Sequence, residues 1–416
     1  MFSINNFKRL FFSETGRDTS IVFLGTVVNV TVGGLFFILA PRILGPEQYG
    51  LFSVVLATAL MAVNFANFGI DTGILKFVKS DQEETNQKYL KLAFKAYLAI
   101  GLLIFVLGLI FSGHIANLLN APQIENLLKI AFSATIFTLL GNFFVAVLQT
   151  RKQFIKASAV NISANTVRLI ILSIASFFIS IDLNFLTILV FCVTVLYVIL
   201  GLIYVPLDFL KAKNENFHFK NFFGYNFWIA ASLAISAIPF DSYLLVRIAG
   251  PIATGIYAAP MKILTTTYQF AGGFSRVLAP RLSSFDTNKK AKDFVLKALP
   301  GVLLIFTGIV LVGFLGPVIK FLWGEEYSQS VKIFQILSVG MAFFFMDTIP
   351  VSLILYYFGK SKVAFYVTVW HYLIYTILLF ILISKYSALG ASFAFSISEI
   401  ITFLTLVTYV IIKFKK

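Results

Sequence analysis

Long apolar blocks alternate with short polar stretches along the whole chain. A helix needs about 20 apolar residues to cross the hydrocarbon core of a membrane, and the blocks predict about twelve such helices. Their approximate bounds are 19–40, 49–69, 91–112, 130–149, 158–180, 186–207, 225–248, 255–280, 295–315, 331–358, 363–384 and 389–412. The pattern therefore predicts an all-α integral membrane protein. The connections between the blocks are too short for a soluble catalytic domain.

Composition supports this class and excludes a soluble one. Of the 416 residues, 59% are hydrophobic, 48 are Phe and 12% are charged, whereas soluble domains are about half apolar and about a quarter charged. The net charge of +15 is compatible with nucleic-acid binding. However, the basic residues lie between the apolar blocks and not on one soluble domain, so we expect no nucleic-acid partner. The single cysteine, Cys192, lies inside a block, which rules out an internal disulfide.

The lysines and arginines between the blocks predict the orientation of the chain, because cytoplasmic loops carry an excess of them. With the N-terminus inside, about 25 of the 33 fall in cytoplasmic segments, including 8–17, 76–95, 211–220 and 276–297. The few predicted outside are Arg42, Lys129, Arg247, Lys320, Lys332 and Lys385. We therefore expect a multi-pass protein of the cytoplasmic (inner) membrane with both termini cytoplasmic. The first block is too long for the core of a signal peptide, so we expect it to be retained.

Two turns in the chain share one motif. Residues 42–52 read RILGPEQYGLF and residues 247–257 read RIAGPIATGIY, at an offset of 205. Gly-Pro is typical of a tight turn, because proline presets φ and glycine reaches conformations that other residues avoid. A weaker echo at an offset of 203 matches Gly113 with Gly316 and Leu119 with Leu322. Two matches at offsets near half the chain length indicate an internal duplication.

The two turns are predicted on the same face of the membrane, because six predicted helices separate them. The repeats are therefore parallel, an arrangement found in secondary transporters that bind substrate between their halves near the midplane. We predict two six-helix lobes, residues 1–208 and 209–416. A duplicated assembly protein without transport activity is the alternative.

The turn motif also resembles a known family. The stretch 40–52, APRILGPEQYGLF, looks like the signature turn of polysaccharide-unit flippases of the Wzx kind, and 67–71, 254–259 and 324–327 resemble other recurring segments of that family. These flippases belong to the multidrug/oligosaccharidyl-lipid/polysaccharide exporter superfamily. The resemblance covers nearly the whole chain and says nothing about the sugar.

This resemblance implies a fold and a function. It implies two six-helix lobes around a cleft that opens alternately to each side, lined by the first two helices of each lobe. The implied substrate is an oligosaccharide repeat unit on undecaprenyl pyrophosphate, moved across the cytoplasmic membrane for surface polysaccharide biosynthesis. The implied partners are this lipid-linked oligosaccharide, membrane lipids and the polysaccharide polymerase machinery.

One arginine is predicted inside the membrane, where a charge costs about 3 kcal/mol or more and so marks a functional candidate. Arg168 shares a helical face with Ser158, Asn161 and Asn165. Such a stripe must face protein or water, and the planar guanidinium binds phosphate oxygens in pairs. We therefore place Arg168, Asn161 and Asn165 among the candidate substrate ligands. A buried arginine that only holds helices together is the alternative.

Asp241 and Lys262 are predicted at one depth on adjacent antiparallel helices. Asp241 lies ten residues before Pro251 and Lys262 lies eleven after it, so we expect an ion pair. Subtracting the repeat offset of 205 leads to Phe36 and Ala57. Since the first half has apolar residues there, the fold does not demand the charges. We therefore add Lys262 and Asp241 to the candidate substrate site.

Two acids lie near the middle of the tenth and twelfth predicted helices, Asp347 and Glu399. Ser392 and Ser396 share a helical face with Glu399. A buried carboxyl there could bind and release a coupling proton, so both acids are candidates for ion coupling. The alternative is that each acid pairs with Arg168 or His371.

No motif indicates an enzyme, a cofactor or a bound metal. The three histidines are scattered without metal-ligand spacing, and no Gly-rich phosphate loop or nucleophile elbow is present. The main competing function is a cation-coupled multidrug or small-molecule antiporter of the same superfamily. Such an exporter would favour acids in the cleft, whereas a pyrophosphate carrier would favour Arg168 and Lys262. A membrane-embedded polymerase or ligase fits the short outer loops poorly.

Overall fold

The computed structural model describes residues 14–67, 69–78, 83–212 and 227–415. Within these ranges the regular elements are all helical. Several residues that carry the orientation argument, among them Lys8, Arg9, Lys79, Lys213 and Lys220, lie outside the described residues. The helices of the first half are α1 Glu14–Asn67, α2 Ile70–Phe77, α3 Glu83–Leu118, α4 Glu125–Thr150, α5 Phe154–Phe178, α6 Leu183–Cys192 and α7 Val195–Tyr204.

The second half continues the helical pattern with shorter, interrupted elements. Its helices are α8 Phe227–Ser236, α9 Phe240–Ile248, α10 Gly250–Leu264, α11 Thr266–Ser283, α12 Asn288–Gly313, α13 Gly316–Trp323, α14 Ser330–Met346, α15 Thr348–Ser352 and α16 Ser361–Lys415. A π-helical segment, Leu353–Tyr357, follows α15 directly. Short 3₁₀ turns at Pro122–Ile124, Leu207–Lys211 and Glu325–Tyr327 connect some of these helices.

The number of membrane spans agrees with the hydrophobic pattern. In the described residues, nine helical stretches are long and apolar enough to cross a membrane. Two of them are about twice the required length, and each contains a residue with non-helical backbone, Gly45 in α1 and Ser387 in α16. Counting these as two spans each gives eleven. The twelfth is formed by α10 and α11, which only Thr265 separates. The expected all-α fold with about twelve spans is therefore confirmed.

One compact unit comprises Met1–Phe36, Thr58–Ile115 and Gln123–Asn226. Its central helix is α4, where 67% of the most apolar window is buried. Phe143, Phe144 and Val147 of α4 pack with Tyr97 of α3 in the core. The helices α2, α5, α6 and α7 surround α4. A helix that is apolar on every side is expected at such a central position.

The second unit comprises Phe37–Ala57, Ala116–Pro122 and Phe227–Lys416. Its central element is α14 with its continuation through α15, and 67% of the corresponding window is buried. The helices α10, α12 and α16 pack against α14. The fourth and tenth spans are thus the central helices of their units, as a parallel repeat of six spans predicts. The division into lobes at residues 208 and 209 stays a prediction.

The Gly-Pro turns have the predicted backbone. Gly45 has φ of 70° and Gly250 has φ of 86°, values in the left-handed region that side chains avoid. Each glycine is followed by a proline, Pro46 or Pro251, which opens the next helical segment. Proline suits this place because the first turn of a helix has no use for its missing N–H. The motif therefore breaks one helix and starts the next at both sites.

Candidate functional site

The polar stripe of α5 faces the first half of α1, within the first unit. Asn165 donates a hydrogen bond from Nδ2 to Asn29 Oδ1 at 2.7 Å. Arg168 donates from a terminal nitrogen to Asn165 Oδ1, also at 2.7 Å. The guanidinium carbon of Arg168 lies 4.1 Å from the centre of the Phe36 ring, close enough for a cation–π interaction. These contacts fix the orientation of the guanidinium plane inside the span.

A groove of small residues on α1 receives this stripe, and the sequence analysis missed it. Gly25, Asn29 and Gly33 recur every four residues and so share one helix face. A Cβ on Gly25 would lie 2.4 Å from Ser158 Oγ, and one on Gly33 would lie 3.5 Å from Asn165 Nδ2. Small residues at this spacing let two membrane helices approach closely. That spacing is the signal that would have predicted the α1–α5 contact.

Lys262 is held by an aromatic ring and not by Asp241. Its ammonium lies 4.4 Å from the centre of the Phe37 ring, within the second unit. Asp241 accepts hydrogen bonds from the Ser242 N–H at 2.7 Å and from the Tyr257 hydroxyl at 3.1 Å. No ion pair joins Asp241 and Lys262 among the described residues. The expected pair was therefore wrong, because uncharged donors and a ring hold the two charges separately.

Asp241 belongs to a hydrogen-bonded network with two tyrosines. The Tyr257 hydroxyl, besides its bond to Asp241, lies 3.3 Å from the Tyr375 hydroxyl. Tyr257 is 1% and Tyr375 6% exposed, so the network is shielded from solvent. Asp241 stands in the first turn of α9, just after the break at Pro239 that interrupts the seventh span. The break exposes backbone N–H groups, which a carboxylate can accept from.

Glu399 lies beside His371 in the same unit. Glu399 Oε1 is 3.9 Å from His371 Nε2, and the Glu399 residue is 5% exposed. His371 Nδ1 lies 2.8 Å from Thr402 Oγ1. Ser392 and Ser396 are buried with Glu399, as their shared helical face predicts. Of the alternatives left open, pairing with His371 is the one that the geometry favours for Glu399.

Asp347 occupies the junction between α14 and α15. It is 7% exposed, and its Oδ1 atom has no hydrogen-bond partner among the described residues. Its carboxyl group also interacts electrostatically with that of Glu399. The π-helical segment begins six residues further on, at Leu353, and such irregular turns often accompany functional sites. The second unit thus buries two carboxyl groups where α14 and α16 pack against each other.

A second polar cluster lies at the end of the second span. The Tyr97 hydroxyl is 2.5 Å from Asp71 Oδ1 and 2.6 Å from Asn67 Oδ1, and Asn67 Nδ2 donates to Asp71 Oδ2 at 2.9 Å. Burial raises the pKa of the Asp71 carboxyl, whereas the hydrogen bonds from Tyr97 and Asn67 lower it. The cluster closes on itself, so we assign it a structural role next to Gly69. Gly69 separates α1 from α2 with φ of 80°.

Known proteins resemble this chain in sequence and in fold. A sequence profile described as polysaccharide biosynthesis protein matches residues 15–286. The chain belongs to this family. A protein of Shigella flexneri named as an O-antigen transporter is 26% identical over 381 residues, covering 88% of this chain and 90% of that protein. The capsular polysaccharide biosynthesis protein CapF of Staphylococcus aureus is 29% identical over 213 residues, covering 48% of this chain and 51% of that protein.

Solved structures share the fold of this polysaccharide biosynthesis protein. An inward-facing multidrug resistance transporter of the MATE family superposes with a TM-score of 0.81 at 10% identity, covering 95% of this chain and 98% of that one. The lipid II flippase MurJ gives 0.75 at 18% identity, covering 94% and 87%. The family match confirms the resemblance drawn from the turn motif. Family and fold together support a multi-pass membrane transporter of flippase type, and none of these relatives is described as an enzyme.

Proposed function

We propose that this protein is a flippase that moves an oligosaccharide repeat unit on undecaprenyl pyrophosphate across the cytoplasmic membrane by alternating access. Membership of the polysaccharide biosynthesis family and the names of its relatives support a polysaccharide intermediate as substrate. The observation that carries the proposal is the guanidinium of Arg168, oriented inside the span by Asn165 and Phe36. We further propose that both termini are cytoplasmic and that the product passes to a polysaccharide polymerase.

Arg168, Asn161 and Asn165 would bind the pyrophosphate end of the substrate. A guanidinium forms two parallel hydrogen bonds to phosphate oxygens, and charge-assisted bonds of this kind are about twice as strong as neutral ones. Asn165 presents its amide oxygen to Arg168 and its amide nitrogen to Asn29, so the guanidinium is positioned before substrate arrives. Asn161 lies one turn earlier on the same face and would supply a further donor.

Lys262 and Asp241 would act from the second unit. The Lys262 ammonium, resting on the Phe37 ring, would supply a positive charge for a substrate phosphate. Asp241 would accept hydrogen bonds from sugar hydroxyls, because a carboxylate has about four acceptor positions and its contacts with Ser242 and Tyr257 use only some of them.

Glu399 and Asp347 would couple transport to an ion. Two carboxyl groups buried close together cannot both be ionised cheaply, so binding of a proton or another cation between them is favourable. Occupation of this site would change the packing of α16, which carries Glu399, against α14, which ends directly before Asp347. Such a site would let an ion gradient drive the conformational cycle.

A second candidate function is a cation-coupled multidrug or small-molecule antiporter. The observation that favours it is a set of three acids in the second unit: Asp347 and Glu399, which are buried, and Asp241, which is partly buried. Buried carboxylates would attract a cationic substrate, whereas a pyrophosphate would be repelled by them unless they are paired or protonated. The structural likeness to a multidrug transporter is compatible with either function, because the two share one fold.

The deciding experiment follows the lipid-linked sugar itself. In cells that lack the gene, the lipid-linked oligosaccharide should accumulate on the inner leaflet. An impermeant reagent added outside should then fail to modify the sugar. Expression of the parent protein should restore that modification. Arg168→Lys keeps the positive charge but loses the planar guanidinium that makes two parallel hydrogen bonds. This variant should restore much less sugar modification while reaching the same level of folded protein. Arg281→Lys is the matched control, since Arg281 is exposed. Normal sugar export without the protein, together with increased sensitivity to cationic drugs, would favour the antiporter.

A further inference from the structure

The two Gly-Pro turns cross each other within the second unit, and at Gly50 and Gly255 their backbones are in direct contact. A Cβ on Gly50 would lie 2.0 Å from the carbonyl oxygen of Pro251. Conversely, a Cβ on Gly255 would lie 1.8 Å from the carbonyl oxygen of Pro46. Gly50 and Gly255 are 205 residues apart, and so are Pro46 and Pro251. The glycine of each turn therefore contacts the proline of the other turn. The two segments therefore meet backbone to backbone around an approximate two-fold axis.

Next to the crossing, two arginines make a second pair of contacts that is related by the same repeat. Arg42 donates a hydrogen bond to the carbonyl oxygen of Leu322 at 3.4 Å, and Arg247 donates to the carbonyl oxygen of Leu118. The arginines are 205 residues apart and their acceptors 204 apart. Each arginine comes from one turn and reaches the end of a helix from the opposite half of the chain. The contact is thus made twice, with the roles of the halves exchanged.

The acceptors are carbonyl groups that a helix leaves without partners. Leu118 is the last residue of α3, and Leu322 lies one residue before the end of α13. The last carbonyl groups of a helix lack an intrahelical hydrogen bond and carry partial negative charge. A cation is therefore favoured there. Just beyond, Asn120 and Gly324 both have positive φ, 54° and 90°, which turns the chain away and leaves the carbonyls accessible.

Further hydrogen bonds reinforce both sides of the crossing. Trp323 Nε1 donates to the Ile38 carbonyl at 2.8 Å, and the Tyr327 hydroxyl donates to the Pro41 carbonyl at 3.2 Å. Burial raises the pKa of Tyr327, so its hydroxyl keeps the proton that it donates. On the other side, Asn120 donates to the Arg247 carbonyl at 3.3 Å.

We propose that Arg42 and Arg247, together with the Gly50–Gly255 crossing, form a paired latch that closes the transport pathway at the face carrying the Gly-Pro turns. This inference rests on the proposed transport function and assigns residues to its gate. The bonds suit a gate, because both arginines are exposed and water can replace either partner when the latch opens. At Gly50 and Gly255 the segments meet backbone to backbone, so neither glycine has a side chain that must move when they part. Since the contact is duplicated, both halves of the latch must open together.

The test measures access to a buried position at the crossing. Ala253 is 8% exposed, so an Ala253→Cys variant in a Cys192→Ser background should react slowly with an impermeant maleimide added to intact cells. Arg42→Ala and Arg247→Ala should each speed labelling about tenfold, and by similar amounts. Arg42→Lys and Arg247→Lys keep a cation at the helix end, so their cysteines should be labelled more slowly than those of the alanine variants. Gly50→Ala and Gly255→Ala should speed it about tenfold, because the added methyl forces the segments apart.

Matched controls separate this effect from general loosening. Gly308→Ala adds a methyl group to α12 where nothing lies within 4 Å, and Lys385→Ala removes an exposed charge. Neither should change the labelling rate. The arginine variants add no bulk, so they decide the question even where a glycine variant does not fold. Unchanged labelling in folded Arg42→Ala and Arg247→Ala, or an equal rise in the controls, would overturn the latch.

The labelling assay also stands apart from the substrate assignment. It uses no sugar lipid, so a failure to export the lipid-linked oligosaccharide would overturn the proposed substrate and leave the labelling result intact. Normal export with unchanged labelling in the arginine variants would retain the proposed function and reject the latch.

Discussion

His371 Nε2 faces Glu399 Oε1 at 3.9 Å while its Nδ1 lies 2.8 Å from Thr402 Oγ1. The Thr402 hydroxyl donates its one hydrogen to the Ser398 carbonyl. Nδ1 must therefore be the donor to Thr402, and in the neutral imidazole Nε2 is left as an acceptor. When the Glu399 carboxyl is protonated, His371 Nε2 is therefore available as an acceptor for its proton. The pair can share a proton across a short gap, which a small movement of one segment of α16 against the other, about the break at Ser387, would close.

We expect Glu399→Gln to abolish the dependence of transport on a proton gradient while preserving the fold, because glutamine has the same shape and cannot be ionised. Export of the lipid-linked sugar at several external pH values measures this. Glu325→Gln is the control, since Glu325 has a side chain that is 78% exposed. Export that still follows pH in folded Glu399→Gln would remove Glu399 from the coupling site.

We expect Asp241→Asn and Lys262→Ala to affect stability independently. Each charge has its own partners, Tyr257 for Asp241 and the Phe37 ring for Lys262. Changes at sites without shared partners add within about 0.5 kcal/mol. Thermal unfolding of the two single variants and the double variant in detergent measures the coupling. A coupling above about 1 kcal/mol would restore the ion pair that the sequence suggested.

The sequence predicted most of the fold because its signals are local. Apolar blocks gave the spans, and Gly-Pro gave the turns at Gly45 and Gly250 with their positive φ. The crossing of Gly50 with Gly255 was not predictable in the same way. It joins segments 205 residues apart, and the motif says only that both turns exist. Docking of this kind depends on the packing of whole helices.

The candidate site was predicted less completely, for a different reason. Charged residues stand out in an apolar chain, so Arg168 and Lys262 were easy to select. Their aromatic partners, Phe36 and Phe37, do not stand out among 48 phenylalanines. The depth argument for Asp241 and Lys262 used distance along the helices alone. It took no account of the direction of each side chain, which decides whether two groups at one depth meet.

We expect acid to stabilise the cluster at Asp71, which lies beyond the spanning stretch that ends at Asn67. Burial raises the pKa of Asp71 in the folded protein, so its stabilising contribution is complete below the unfolded pKa and is lost as pH rises through the folded pKa. Asp71→Asn removes this titration. Melting temperatures of the parent and of Asp71→Asn between about pH 4 and pH 8 should therefore converge or cross as pH rises. A difference that is constant with pH would contradict this.

We expect twelve crossings with both termini cytoplasmic. In a Cys192→Ser background, single cysteines placed at Gln48 and Ile252 should react with an impermeant reagent added outside, because both lie in the Gly-Pro turns and are accessible there. A cysteine at Lys289, the second residue of α12, should react only after the membrane is permeabilised. Labelling of only one of the two turns would contradict the parallel repeat.

We expect the contact between α1 and α5 to be set by the sizes of Gly25 and Ser158. A Cβ on Gly25 would lie 2.4 Å from Ser158 Oγ and 2.8 Å from Ser158 Cβ, so Gly25→Ala should lower stability by about 1–3 kcal/mol through overpacking. Moving the bulk to the other helix relieves the clash, and Gly25→Ala with Ser158→Gly should recover most of that loss. Gly34→Ala is the matched control, because nothing lies within 4 Å of a Cβ there. Thermal unfolding and folded yield in detergent measure all four proteins. If Gly25→Ala and Gly34→Ala were equally stable, α1 would not be packed on α5 at this point. The polar stripe would then need another explanation for how Arg168 is positioned.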